Sequence, residues 1–259
     1  MPAIQNDLTQ GSVTRKLIRY ALPLVASSLL QALYSITDFI IAGHFIGDAG
    51  ISAINNASQV MMILTQIIMG ITTGGNILMG QYFGSKDRSN RVKTNRTMFG
   101  FALSAGALLS VLLFLLSRPI LAALRAPALE EATAYLQVCS AGLIAIFGYN
   151  ALAAMLRSVG NSKQPFYCVA VTAGCNIALD CLFMGGFRWG VRGAALATVL
   201  AQWASFVVCL VYVLRHRDLF GLVRRQISFH KDKMVQILKL GIPCAVQMTV
   251  VGLSWLAMT

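Results

Sequence analysis

Apolar residues fall into seven long runs separated by short polar stretches: 17–41, 54–83, 94–117, 132–156, 165–187, 191–215 and 234–259. At a 1.5 Å rise per residue, about 20 apolar residues cross a bilayer core, so each run predicts a membrane-spanning helix. The connections have turn compositions. Gly84-Ser85-Lys86-Asp87 and Gly160-Asn161-Ser162-Lys163-Gln164-Pro165 stop one helix and start the next. The first run follows Arg15 and Lys16, is interrupted by Pro23 and carries a lone acid, Asp38. It is too long for a removable signal peptide and lacks a small-residue cleavage site, so it predicts helix one.

The opening of the first run returns in the last. Leu-Ile-Arg-Tyr-Ala-Leu-Pro at 17–23 aligns with Ile-Leu-Lys-Leu-Gly-Ile-Pro at 237–243, an offset of 220 residues. A repeat of about half a transporter, with proline at matching helix positions, is a known way of building an alternating-access protein. In this alignment Asp38 corresponds to Met258, so the second copy lacks the acid.

Composition adds the class and charge adds the orientation. With 57% hydrophobic and 12% charged residues and a mean hydropathy of +0.69, the chain is an integral membrane protein. Its net charge of +12 resides in loops, where it faces cytosol and anionic lipid, and implies no nucleic-acid partner. Of the basic residues, 17 fall in the N-terminal tail and the loops after runs two, four and six, against 4 on the other side (Arg118, Arg125, Arg188 and Arg192). The positive-inside rule therefore places the N-terminus in the cytosol of a prokaryotic plasma (inner) membrane protein. Residues 216–233 are polar and basic with Phe220, Leu222, Ile227 and Phe229 interspersed, and read either as an amphipathic segment on the inner membrane surface or as a solvated linker.

Small residues mark where helices approach closely: Gly70 with Gly74 in run two and Gly193 with Ala197 in run six. Gln59, Gln66, Thr73 and Asn76 make run two polar for a span and turn it toward a cavity. The six cysteines lie within or beside apolar runs and none has metal-ligand spacing, so no disulfide, redox role, cofactor or metal site is expected beyond sodium at a cation site.

Only two of the nine acidic residues, Asp38 and Asp180, lie within spans. An intramembrane carboxylate costs roughly 2.5–3.5 kcal/mol to insert and marks a functional group by default. Gln31, Tyr34 and Asp38 recur at three- and four-residue spacing and share a helix face, as do Asn176 and Asp180. Counting along each run puts Asp38 about 5 Å, and Asp180 and Thr198 about 10 Å, from the outer ends of their helices. Oxygen groups from three spans thus meet at one level, which suits a proton or a sodium ion.

At these residues the sequence resembles the multidrug and toxic compound extrusion family. Thr37-Asp38-Phe39-Ile40-Ile41-Ala42-Gly43-His44, Leu156-Arg157-Ser158-Val159-Gly160-Asn161, Asn176-Ile177-Ala178-Leu179-Asp180 and Gly193-Ala194-Ala195-Leu196-Ala197-Thr198 carry the resemblance. It implies an all-α, 12-helix antiporter of two six-helix lobes that expels cationic, amphipathic compounds in exchange for H⁺ or Na⁺, and not an enzyme. By motif match, Asp38, Asn176, Asp180 and Thr198 resemble the family's cation site. Tyr34 and Asn150 resemble further cavity residues, and Pro23 the proline where helix one bends.

Seven spans are fewer than twelve. The expected organisation is a tail at 1–16, a six-helix lobe at 17–215, an inter-lobe linker at 216–233 and, at 234–259, the first helix of a second lobe. Such a chain is expected to be a fragment that does not transport alone. Its partners would be small cationic substrates, membrane lipid and a missing C-terminal lobe or a second copy, and its last helix should pack poorly on the lobe or seek that copy. A lipid-linked-oligosaccharide flippase would share the fold, but no Lys or Arg lies deep within a span to hold pyrophosphate. An intramembrane aspartyl protease would need a Gly-x-Gly-Asp signature that run five lacks, and a seven-helix receptor would place its N-terminus outside.

Overall fold

The computed structural model describes residues 12–220 and 229–258, and every regular element among them is helical. The first two spans are α1 (Thr14–Gly47) and α2 (Gly50–Gly84). They are continuous in backbone geometry except at Gly47, whose φ of 74° and ψ of −177° lie where L side chains are rarely found. The connection expected at 42–53 is therefore far shorter. Both helices continue past their apolar stretches, because the helix satisfies backbone groups outside the lipid as well as within it. Pro23 lies inside α1 without interrupting it, and the Ser27 hydroxyl donates to the Pro23 carbonyl at 2.8 Å.

The next span is α3 (Arg88–Ala123). Asp87 caps it, accepting from the Asn90 backbone N–H at 3.0 Å and from the Asn90 side-chain amide at 2.7 Å. These donated bonds hold the Asp87 carboxyl below its ordinary range, with a smaller contribution from the Lys233 ammonium. A carboxylate so depressed stabilises the fold above the unfolded-state pKa, and the contribution disappears as pH falls through the folded one. Asp87→Ala should accordingly lower the melting temperature at pH 7, by an amount that shrinks as the pH is lowered into the acid range, as followed by circular dichroism.

The fourth span is not one straight helix. It consists of α4 (Leu129–Ser140) and α5 (Leu143–Ser158), which meet at 47°. The break frees carbonyls that lipid cannot satisfy. Ser110 of α3 donates to the Ser140 carbonyl at 2.7 Å, and the Trp203 indole to that of Ala141 at 3.3 Å. With this bent pair taken as one span, seven elements among the described residues are long and apolar enough to cross a membrane; without it there are six.

After the break, α5 runs through the centre of the lobe, and Ala151 to Leu156 are wholly buried. Glycine lets its neighbours close in: a Cβ at Gly106 would meet Ile144 and Phe147 at 3.1 Å. The fifth span is α6 (Lys163–Asp180), extended by one π-helical turn, Cys181–Gly186. The Asn161 side chain caps its start, accepting from the Gln164 amide at 3.1 Å, and also donates to the Tyr212 hydroxyl at 3.1 Å. The sixth, α7 (Gly190–Arg215), packs against α6, and its Gly193 faces Phe183 of the π turn. Helix α1 exposes Leu22, Leu29, Leu33, Ile36 and Ile40.

A short α8 (Arg217–Phe220) follows. It begins the segment expected as an amphipathic surface helix or a solvated linker, but Phe220 is buried in the core rather than facing lipid or water. Arg91 donates to the Leu219 carbonyl at 3.0 Å and Asn95 to that of Phe220 at 2.8 Å, so side chains of α3 hold the chain here. Phe229 is exposed, and Leu222 and Ile227 lie outside the described residues.

The last helix, α9 (Lys231–Met258), corrects the expectation of poor packing. A Cβ on Gly70 would overlap the Ala245 backbone, and one on Gly74 that of Gly241; one on Gly241 would come within 2.8 Å of the Ile71 Cα. The small pair read from the sequence in α2 thus receives α9, backbone against backbone.

Candidate functional site

Asp38 lies nine residues before the end of α1, about 13 Å from it at 1.5 Å per residue, because the helix continues past its apolar run. Asp180, six residues before Gly186, and Thr198, eight residues after Gly190, are by the same rise about 9 and 12 Å from that same end of the bundle. The three groups share one level, at the end opposite the N-terminus. A π turn begins immediately after Asp180, a local geometry frequent at functional sites.

Side chains converge across three helices. The Asp38 and Asp180 carboxyls are close enough to interact directly. Both are acceptors when ionised, so a hydrogen bond between them requires a proton on one. Asn176 and Asp180 are 0% exposed, and the Asn176 amide donates to the Thr198 hydroxyl at 3.5 Å. The Tyr34 hydroxyl meets Thr198 on the near side and lies close to both acids. Both carboxyl oxygens of Asp180 and the amide oxygen of Asn176 are buried with no hydrogen-bond donor among the described residues. Three acceptor atoms without donors in one buried place require a cation or protons to balance them.

This cluster stands behind the wall of a cavity of about 500 Å³. Gln31, Tyr34, Asp38 and Thr198 line it, and among the described residues no Lys or Arg does. Asn176 and Asp180 do not reach its surface. Asn150, expected as a cavity residue, is set apart: its side-chain amide donates to the Ile146 carbonyl of its own helix at 2.8 Å, and Ile146 faces the cavity instead. Of the polar residues noted in run two, Gln66 lines the cavity, whereas Gln59, Thr73 and Asn76 do not.

Several lining residues escaped the sequence reading, Tyr135 and Cys139 among them. Tyr135 and Cys139 of α4 are buried, interact with each other and feel the Asp38 charge. Their four-residue spacing was the available signal, but it is indistinguishable from ordinary core periodicity.

The matching family model settles the affiliation, because MatE covers residues 23–182, more than half of the chain. The chain belongs to the MATE family. It is thus a multi-pass membrane protein of a transporter family, which is not a family of enzymes. It is 28% identical over 265 residues to the probable multidrug resistance protein YoeA of Bacillus subtilis strain 168, covering 99% of this chain and 57% of that one. With the multidrug export protein MepA of Staphylococcus saprophyticus it shares 25% identity over 260 residues, 96% of this chain and 56% of that one. In fold it matches an outward-facing multidrug-resistance MATE transporter with a TM-score of 0.87 at 22% identity, over 96% of this chain and 55% of the other. The chain therefore spans about half the length of the MATE proteins it matches.

Proposed function

We propose that this chain carries the cation-binding lobe of an antiporter that exports cationic, amphipathic compounds in exchange for H⁺ or Na⁺ by alternating access. The observation that carries the proposal is the set of buried oxygens on Asp180 and Asn176 that have no donor among the described residues, beside Asp38 and a cavity whose described lining holds no basic residue. A proton would sit between the two carboxyls. Sodium would take carboxylate oxygens together with the Asn176 amide oxygen, as a hard cation prefers. The cavity suits an amphipathic cation: Asp38 supplies charge, Tyr34 and Tyr135 supply ring faces, and Met61, Met62 and Met69 supply a wall that adapts its shape. A pyrophosphate-linked lipid is disfavoured by the same lining.

Alternating access requires a second lobe across this cavity, provided by further chain or by a second copy. The coupling ion is tested by thermal unfolding of the purified chain. A ligand that binds only the folded state at about 100 times its Kd stabilises by about 2.7 kcal/mol. Replacing choline chloride by sodium chloride should raise the melting temperature of the parent and not of Asp180→Asn if sodium is bound. If the proton is the ligand, the parent and the variant should instead diverge with pH at constant salt. A parent that responds to neither sodium nor pH differently from Asp180→Asn would remove the cation site.

The basic distribution supports a cytosolic N-terminus in a prokaryotic plasma (inner) membrane. In intact cells, a membrane-impermeant maleimide should label a cysteine introduced at Ala126 and leave one at Arg88 unlabelled. The reverse pattern inverts the topology.

A further inference from the structure

The seam between α2 and α9 begins where the cavity ends. Met62, Gln66 and Met69 of α2 line the cavity, and a Cβ on Gly252 of α9 would lie 3.7 Å from the Gln66 side chain. One residue beyond Met69 the backbone contacts start, at Gly70 with Ala245 and then at Gly74 with Gly241. The seam finishes at the N-terminal side of the bundle in a polar chain. Lys233 of α9 donates to the Tyr82 hydroxyl at 2.9 Å, and that hydroxyl donates to the Gln236 side-chain oxygen at 3.0 Å. The Lys233 ammonium also lies 4.7 Å from the centroid of the Tyr82 ring. Lys233 is only 4% exposed, while its nearest acid, Asp232, is 3.9 Å away with a side chain mostly in solvent.

We infer that the α2–α9 seam is the closure separating the cavity from the N-terminal side, and that Tyr82 is its latch, the one residue that both caps the buried Lys233 ammonium and ties it to Gln236. The glycine contacts above the latch set backbone against backbone, and beside them Ile237 of α9 is wholly buried in the core. Parting therefore exposes Ile237 and breaks the polar chain at the end. A buried ammonium must keep its partners or regain water, and separating α9 from α2 removes the Tyr82 ring and hydroxyl together. The latch is thus strong while the seam is shut and is exchanged for water once it opens, as a two-position device requires. This rests on the alternating-access reading, but its test measures the seam without any transport.

The closure predicts opposite effects for a single and a double substitution. Tyr82→Phe keeps the ring and removes the acceptor, leaving Lys233 buried without its hydrogen bond. Replacing the lysine as well, in Tyr82→Phe/Lys233→Met, removes the stranded charge and leaves an apolar contact, a change that is often neutral or stabilising. The 259-residue chain, with its native cysteines replaced by alanine and one cysteine at Met69, is reconstituted in lipid vesicles. The rate of modification by an impermeant maleimide supplied from the N-terminal side is then followed. Loss of one hydrogen bond to a charged group should raise the rate about tenfold in Tyr82→Phe, and the double variant should return close to the parent rate. Spin labels at Ser85 and Lys231 should report a longer second distance in Tyr82→Phe alone. Unchanged labelling and distance in Tyr82→Phe, or a double variant as open as the single one, would overturn the latch. A failed transport assay with an unaltered seam response would count against the antiport reading only.

Discussion

Asp180→Asn and Asp38→Asn should each reduce ion-coupled export to the level of empty vesicles when placed in a transporter containing both lobes, with normal membrane insertion. Asparagine preserves size and polarity but carries no charge and takes up no proton in this range. Each substitution therefore tests the ionisable function separately from packing. Asp180 is the sharper case, because its two oxygens are buried without donors and an amide there supplies N–H groups of its own. The unsatisfied site would be relieved and the need for a cation would vanish, so Asp180→Asn should be at least as stable as the parent while inactive. Thr198→Val should be milder: it deletes the long bond from Asn176, of 3.5 Å, and the contact with the Tyr34 hydroxyl but no ionisable group, for a loss of about tenfold. Asn150→Ala, at a residue bonded to its own helix and off the cavity, should retain export per inserted molecule. Uptake of a fluorescent cation into inverted vesicles under an imposed proton or sodium gradient distinguishes these outcomes. Near-normal, gradient-dependent export by both aspartate variants would reduce the acids to a structural contact.

Gly74→Val should detach α9 from the lobe. A valine there puts Cβ into the Gly241 backbone and two further carbons beyond it. Neither helix can yield by a rotamer change, since the obstructing atoms are main chain, and the cost should exceed the roughly 1–3 kcal/mol of ordinary overpacking. Gly70→Val should act likewise through Ala245. Gly174→Val is the control, because nothing lies within 4 Å of its added Cβ and it faces outward on α6. Co-expressing residues 1–224 with 225–259 and purifying through a tag on the first piece measures the association directly. The second piece should co-purify in the parent and in Gly174→Val, and be lost in Gly74→Val. Retention in Gly74→Val would show that the seam does not depend on close backbone approach.

Much of this was legible in the chain. The seven spans follow from apolar run length, because in lipid only a helix satisfies every backbone group of a single crossing segment, so composition alone imposes the element type. Asp38 and Asp180 declared themselves by the cost of burying charge, and their common level followed from helical rise and the alternation of spans. Gly70 and Gly74 marked a close approach of helices. None of these inferences needs to know which helix touches which. The partner of the glycine pair, the 47° break between α4 and α5, the separation of Asn150 from the cavity and the recruitment of Tyr135 and Cys139 beside Asp38 were decided only in three dimensions. The same holds for Lys233, which reads in the chain as one more basic residue of a polar linker and is buried against Tyr82, 151 residues away. Helical periodicity assigns a face to each residue and lipid chemistry assigns it a depth. Which faces meet depends on contacts between segments far apart in sequence, and these arise only when all the helices pack together.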